Sequence, residues 1–297
     1  MSSVIFFCNF KSTIHYVAKN WFYCISIACA IFAIPILFSS LCHAQSYGFS
    51  GSRSQALANA SVCLEDVFSY HNNPANSAEV TTVSFGLAYE NRFLLKELQH
   101  QSYAVSMPVG RGVFSFGGNT FGYRDYRTFK NGLGYSMKLL DALSVGVQIN
   151  HQMVRLSGPY GINQTLTGEF GLAYKVSKNW RFGIAVFNLG RNEMIEAPME
   201  RYPTSMRIGT AYNVSNMVLL VAELEKDIIH PLRFKSGVEY KPLPNLLFRI
   251  GFVTHPIELC FGLGWIFSSR YHLDFGTQYH QILGWSPNIS FRCDLQK

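Results

Sequence analysis

The chain has 297 residues, 48% hydrophobic and only 14% charged, with 25 Lys plus Arg against 18 Asp plus Glu for a formal net charge of +7. That basic balance carries no nucleic-acid signature, because the cations stand singly along the chain and never cluster with interleaved aromatics. No HExxH, EF-hand loop, P-loop or GxSxG motif occurs, so no metal, nucleotide or other cofactor is expected.

Residues 1–44 read as a signal peptide. A long head with Lys11 and Lys19 and no acid precedes the apolar run Trp21 to Leu37, and the small-residue exit predicts cleavage after Ala44. Cleavage removes two of the 25 cations and none of the 18 acids, leaving a charge of about +5. Of the seven cysteines, Cys63, Cys260 and Cys293 remain, an odd number that no full disulfide framework can use. No later stretch of 18 apolar residues exists, which excludes helical spanning.

Residues 45–80 form an N-terminal segment with no strand alternation. Ala56, Leu57, Ala58, Asn59 and Ala60 favour a short helix, and Asn72, Asn73, Pro74, Ala75 and Asn76 break it. The segment precedes everything strand-like, so it either plugs a lumen or caps it from the periplasm. Glu65, Asp66, Asn73 and Pro74 are its candidate gating residues.

From residue 81 onward the pattern changes to period two. Fourteen segments are predicted as strands: 81–90, 101–107, 113–118, 128–139, 142–154, 165–176, 180–189, 204–214, 217–225, 232–241, 246–253, 257–267, 271–281 and 288–295. Leu143, Val145, Val147 and Ile149 alternate with Ser144, Gly146, Gln148 and Asn150, and Leu259, Phe261, Leu263 and Trp265 with Glu258, Cys260, Gly262 and Gly264. The apolar set, which includes Tyr135, Tyr174, Phe248, Phe275 and Tyr279, is large and aromatic. The opposite set is repeatedly glycine: Gly134, Gly171, Gly183, Gly209, Gly237, Gly251 and Gly276. Connections alternate short and long, from the two residues Leu140–Asp141 to the fourteen of 190–203. The fold class these patterns predict is all-β: a transmembrane antiparallel β-barrel of about 14 strands over residues 81–297, with both termini in the periplasm.

Charges at inward positions form a second pattern. Glu223, Glu225, Arg233, Lys235, Glu239 and Arg249 are the candidate lumen network, with Arg207 nearby. A braced, closed lumen is one reading; a pore selective for anions, from the cation excess, is the other. In the longest outer loop, Glu193, Glu196, Glu200 and Arg201 are candidate partner contacts. His151, His272 and His280, with Asp274, are candidate parts of a barrel-embedded hydrolase, a minor alternative.

Gly51, Ser52, Arg53, Ser54, Gln55, Ala56, Leu57, Ala58, Asn59, Ala60, Ser61 and Val62, then Leu64, Glu65, Asp66 and Val67, then Asn72, Asn73, Pro74 and Ala75, make up one motif. It resembles the N-terminal signature of the PorV/PorQ family of Bacteroidetes outer-membrane proteins, relatives of the FadL-type fatty-acid transporters. The resemblance implies a non-enzymatic barrel acting in outer-membrane transport or type IX protein secretion, as a docking or shuttle component. The alternative is a plugged channel or FadL-like transporter for small or hydrophobic solutes. Expected partners are outer-membrane lipid and lipopolysaccharide, the barrel assembly machinery, and secretion-system or cargo proteins, with no nucleic acid among them.

Overall fold

The computed structural model describes residues 50–158, 161–190, 204–228 and 231–295. The predicted signal peptide and the partner-loop candidates Glu193, Glu196, Glu200 and Arg201 lie outside the described residues. The strands are β1 (Ser84–Asn91), β2 (Gln99–Val109), β3 (Gly112–Gly122), β4 (Tyr126–Leu140), β5 (Leu143–Leu156), β6 (Ile162–Lys175) and β7 (Trp180–Phe187), followed by β8 (Ser205–Asn213), β9 (Val218–Asp227), β10 (Arg233–Leu243), β11 (Leu246–Val253), β12 (Glu258–Phe267), β13 (Tyr271–His280) and β14 (Gly284–Asp294). Each pairs antiparallel with its sequence neighbours, and β1 closes on β14 from Ser84↔Asp294 to Glu90↔Asn288. The fourteen-stranded antiparallel barrel expected from the alternation is therefore the fold. Closure leaves no edge strand with unpaired backbone groups, the condition for crossing lipid with strands.

Several strands are longer than the alternation predicts. β3 continues through Asn119 and Thr120 to Gly122, and β14 begins at Gly284 rather than residue 288. Polar and glycine residues there mimic loop composition, yet the register persists through Asn119↔Lys130 and Thr277↔Pro287. The outward face carries the large side chains, among them Leu133, Ile149 and Leu166, each at least 60% exposed. Aromatic pairs sit toward both rims, Trp265–Phe267 stacked at one end and Tyr279–Trp285 at the other, as side chains at a membrane interface do.

Ahead of β1, residues 50–80 run along the inner face of the barrel. They form helix α1 (Ser52–Ala56), helix α2 (Ser69–Asn72) and a 3₁₀ helix Pro74–Glu79. The short helix lies earlier than the expected Ala56 to Ala60, because Ala58 and Asn59 take positive φ of 57° and 56° and end it. Asn73 is extended and stops α2, where the Asn-Pro signal predicted a break. Leu57, Val62, Leu64, Phe68 and Tyr70 are 0–1% exposed, so this segment is the hydrophobic core of the molecule.

It fits because the wall makes room for it. A Cβ added to Gly251 would lie 2.5 Å from the Ala58 nitrogen, one on Gly183 2.6 Å from the Val62 carbonyl, and one on Gly117 2.7 Å from the Tyr70 ring. Eleven of the fourteen strands carry such an inward glycine facing residues 52–75: Gly86, Gly117, Gly132, Gly146, Gly171, Gly183, Gly209, Gly237, Gly251, Gly262 and Gly276. β2 contributes Ala104, fully buried between Gly86 and Gly117. The cost of those glycines in strand propensity is offset by backbone-to-wall contact.

Gly251→Leu is expected to lower the unfolding free energy by about 1–3 kcal/mol through overpacking. Gly168→Ala, with nothing within 4 Å of its Cβ position, is expected to change it by less than about 0.5 kcal/mol. Urea titration of the heat-modifiable folded band distinguishes the two.

Candidate functional site

Two ionic clusters in the lumen join the N-terminal segment to the wall. In the first, Arg53 of α1 donates Nε and Nη2 to Glu239 of β10 at 2.9 and 2.8 Å, and Nη1 to Asp66 at 3.3 Å. Arg249 of β11 bridges Glu239 (2.6 Å) and Asp274 of β13 (2.7 Å). Arg292 of β14 approaches Asp274 (3.4 Å) and Asp66 (3.5 Å), closing a ring of three guanidinium groups and three carboxylates. Burial alone would discharge Arg53, but Glu239 and Asp66 more than offset it and hold its pKa well above the ordinary arginine value.

In the second cluster Arg207 of β8, 0% exposed, pairs with Glu223 of β9 at 2.7 Å. Its two other nitrogens donate to the Asn72 carbonyl (2.8 Å) and to Ser61 Oγ (2.8 Å). Glu223 in turn accepts from the Val62 backbone N–H (2.9 Å), so one ion pair grips the segment from both sides. Lys235 of β10 contacts Glu223 (3.2 Å) and Glu225, and Arg233 lies 3.8 Å from both Glu225 and Glu258. Guanidinium forks suit this duty, since one group meets a carboxylate and two carbonyls without losing charge. Removing one member of such a buried pair costs about 3–5 kcal/mol.

The six network candidates thus divide between two clusters: Glu239 and Arg249 in the first, Glu223, Glu225, Arg233 and Lys235 in the second. Each of these two clusters holds equal numbers of cations and acids, counting Glu258 with the second, so neither carries a cation excess of its own. Arg53 and Arg292 were not among the candidates. Arg292 stands at an inward position of β14, but nothing local marked Arg53 as a partner of β10.

The gating candidates occupy different places. Glu65 lies 3.7 Å from Lys175 and contacts Arg181, while Glu79 lies 2.6 Å from Lys175 and 2.9 Å from Lys138, a partly exposed latch at the end of the barrel where β4 and β6 finish. Asp66 belongs to the first cluster. Asn73 donates to the Val62 carbonyl (2.7 Å) and accepts from the Ala75 N–H (3.1 Å), while Pro74 packs on Gly146. Asn76, which no motif singled out, donates to the carbonyls of Val62 (2.8 Å) and Leu64 (3.1 Å). These amides tie the segment to itself.

The hydrolase set is not assembled. His272 and His280 lie at opposite ends of β13; His272 Nε2 is 3.6 Å from Asp294, and His280 Nδ1 accepts the backbone N–H groups of Ile282 and Leu283. His151 faces Gln164, and Asp274 is engaged by Arg249 and Arg292. Cys63, Cys260 and Cys293 are free thiols, all buried.

On the outer wall, a groove of about 490 Å³ runs from β13 across β14, β1 and β2 to β3. Leu87, Tyr89, Tyr103, Leu273, Ile289 and Phe291 form its banks, and its floor is the wall at Ala88, Ser102 and Ser290. Directly behind that floor lie Ser50, whose hydroxyl contacts Ser102, and Ser52, whose N–H donates to Ser290 Oγ at 3.0 Å.

No protein-family profile matches the chain, and no curated protein matches it in sequence; no sequence match therefore supports the PorV/PorQ resemblance. Solved structures do share the fold. The toluene transporter TbuX of Ralstonia pickettii superposes with a TM-score of 0.65 at 13% identity, over 84% of this chain and 100% of its own. The monoaromatic hydrocarbon channel CymD gives 0.63 at 14% identity, over 86% and 100%. A FadL homologue of Pseudomonas aeruginosa gives 0.59 at 11% identity, over 83% and 98%. The barrel therefore has the fold of FadL-type outer-membrane channels.

His71 supplies a titratable probe of the segment. Burial, reinforced by Lys130, lowers its pKa from 6.5 to about 3. The unfolded chain takes up this proton below about pH 6.5 and the folded chain does not, so stability falls with acidification by about 1.4 kcal/mol per pH unit across that window. Unfolding free energies from urea titrations at pH 7 and pH 5 should differ more for the parent than for His71→Gln, by roughly 2 kcal/mol.

Proposed function

We propose that the chain is an outer-membrane barrel that admits small apolar solutes, plugged by residues 50–80, with its outer-wall groove as the solute-binding position. An even strand number and short turns at one end support a periplasmic position for both termini. Lipid, lipopolysaccharide and the barrel assembly machinery are its proposed surroundings.

The groove is the observation that carries this reading. A hydrocarbon travelling down the lumen axis would have to displace two buried ionic clusters and a segment packed on eleven strands. The outer wall offers instead an apolar recess with room for an aromatic ring or a short alkyl chain, with small side chains at its floor. The fold shared with TbuX and CymD, a toluene transporter and a monoaromatic hydrocarbon channel, supports the same solute class. A docking role in type IX secretion would rest on the loop at 191–203, and no described residue favours it.

Uptake of labelled toluene into lipopolysaccharide-containing proteoliposomes tests the proposal. The intact protein should accelerate uptake several-fold over empty vesicles, and Leu87→Trp, which fills the groove, should return the rate toward background while the folded band persists. Equal rates with and without protein would refute it.

A further inference from the structure

The described residues place the N-terminal segment across the one joint in the barrel that no hairpin makes. Thirteen of the fourteen strand pairings join sequence neighbours, whereas β1 and β14 must meet after the whole chain has been laid down. Their own ladder holds seven register pairs, from Ser84↔Asp294 to Glu90↔Asn288. Non-local pairings of this kind are the slow step of β topologies, because the ordering cost comes before the contacts that offset it.

Residues 50–68 touch both banks of that joint. On the β14 side, Ser52 Oγ donates to Asn288 (2.6 Å), the Ser52 N–H to Ser290 Oγ (3.0 Å), and Arg292 approaches Asp66 (3.5 Å). On the other side, Val67 and Phe68 press on Gly86 of β1, and Ser50 contacts Ser102 of β2. Gln55 spans the two: its Nε2 donates to the Ser286 carbonyl of β14 (3.1 Å) and to Glu90 of β1 (3.3 Å). The glycine ring lets this segment sit within backbone contact of both strands at once.

We infer that residues 50–68 are an internal clasp that brings the last strand to the first during assembly, a second role for the segment that is independent of the solute reading. α1 docks on β11 to β14 and the Phe68 region on β1 and β2, so the two edges are held at the correct offset before their ladder forms. The latch made by Glu65 and Glu79 contacts β4, β5, β6 and β7, away from the joint, and serves as the internal comparison.

Refolding and unfolding rates of the full chain in lipid vesicles, read from the heat-modifiable band, test this. Ser52→Ala combined with Gln55→Ala removes side-chain contacts at the joint, and Glu65→Gln combined with Glu79→Gln removes contacts on the far wall. Contacts present in the rate-limiting step slow folding when lost, and contacts made later speed unfolding. The joint variant should fold about tenfold more slowly with little change in unfolding, while the latch variant should mainly unfold faster. Equal slowing of folding by both, or slowing by neither, would overturn the clasp. Because solute uptake is not measured, a negative toluene result leaves this test unaffected.

Discussion

Backbone-to-backbone contact between residues 52–75 and the inner wall is the constraint on which the rest of the structure depends. A barrel of fourteen strands encloses more space than side chains of ordinary size fill, and here that space holds a second layer of chain. The layer has no room for wall side chains larger than hydrogen at eleven strands. Its own residues then become the core: Leu57, Val62, Leu64, Phe68 and Tyr70 are as buried as any in the molecule. Apolar residues thus occupy two separate regions, the lipid-facing belt and the inner segment, and the glycine ring is the layer between them.

Around that contact the charges bind the segment to the wall. Arg207 and Arg53 each use one fork on a wall carboxylate and the rest of their donors on the segment. A buried charge is tolerated when it is paired and hydrogen-bonded, and the segment supplies partners the wall lacks. The wall charges and the segment carbonyls are therefore complementary halves of the same clusters, which explains why an enclosed lumen can hold so many ionisable groups.

Much of this was legible in the sequence. Alternation gave all fourteen strands, since Leu143 to Asn150 and Glu258 to Trp265 admit no other period, and the inward charges from Glu223 to Arg249 followed from parity. The glycines Gly171, Gly183, Gly209, Gly237, Gly251 and Gly276 were visible as a small inward face; their meaning was not, because the chain they face is 100 to 220 residues away in sequence. Gly134, seen with them, touches only Gln148 and Val147 of its neighbouring strand. Arg53 was likewise unreadable as a site residue, since its partner Glu239 is set by barrel closure and not by any local motif. Strand ends at Asn119–Gly122 and Gly284–Pro287 escaped because their composition is that of turns.

In a barrel closed in this way the proposed solute position lies on the outer wall, off the lumen axis. The groove over Ala88, Ser102 and Ser290 lies on the wall where the described segment begins, so the outer recess, the joint between β1 and β14 and the start of the inner segment form one region. The central claim, that the segment sits inside the wall, is tested most directly at Cys63, which packs against Gly183 and lies 3.3 Å from the Gly209 carbonyl. Burial pushes its thiol up to about 12, which suppresses the reactive thiolate. Mass spectrometry after treatment of the folded protein with a water-soluble maleimide should show Cys63 unmodified over hours and modified once the chain is unfolded. Rapid modification of Cys63 in the folded barrel would contradict the account.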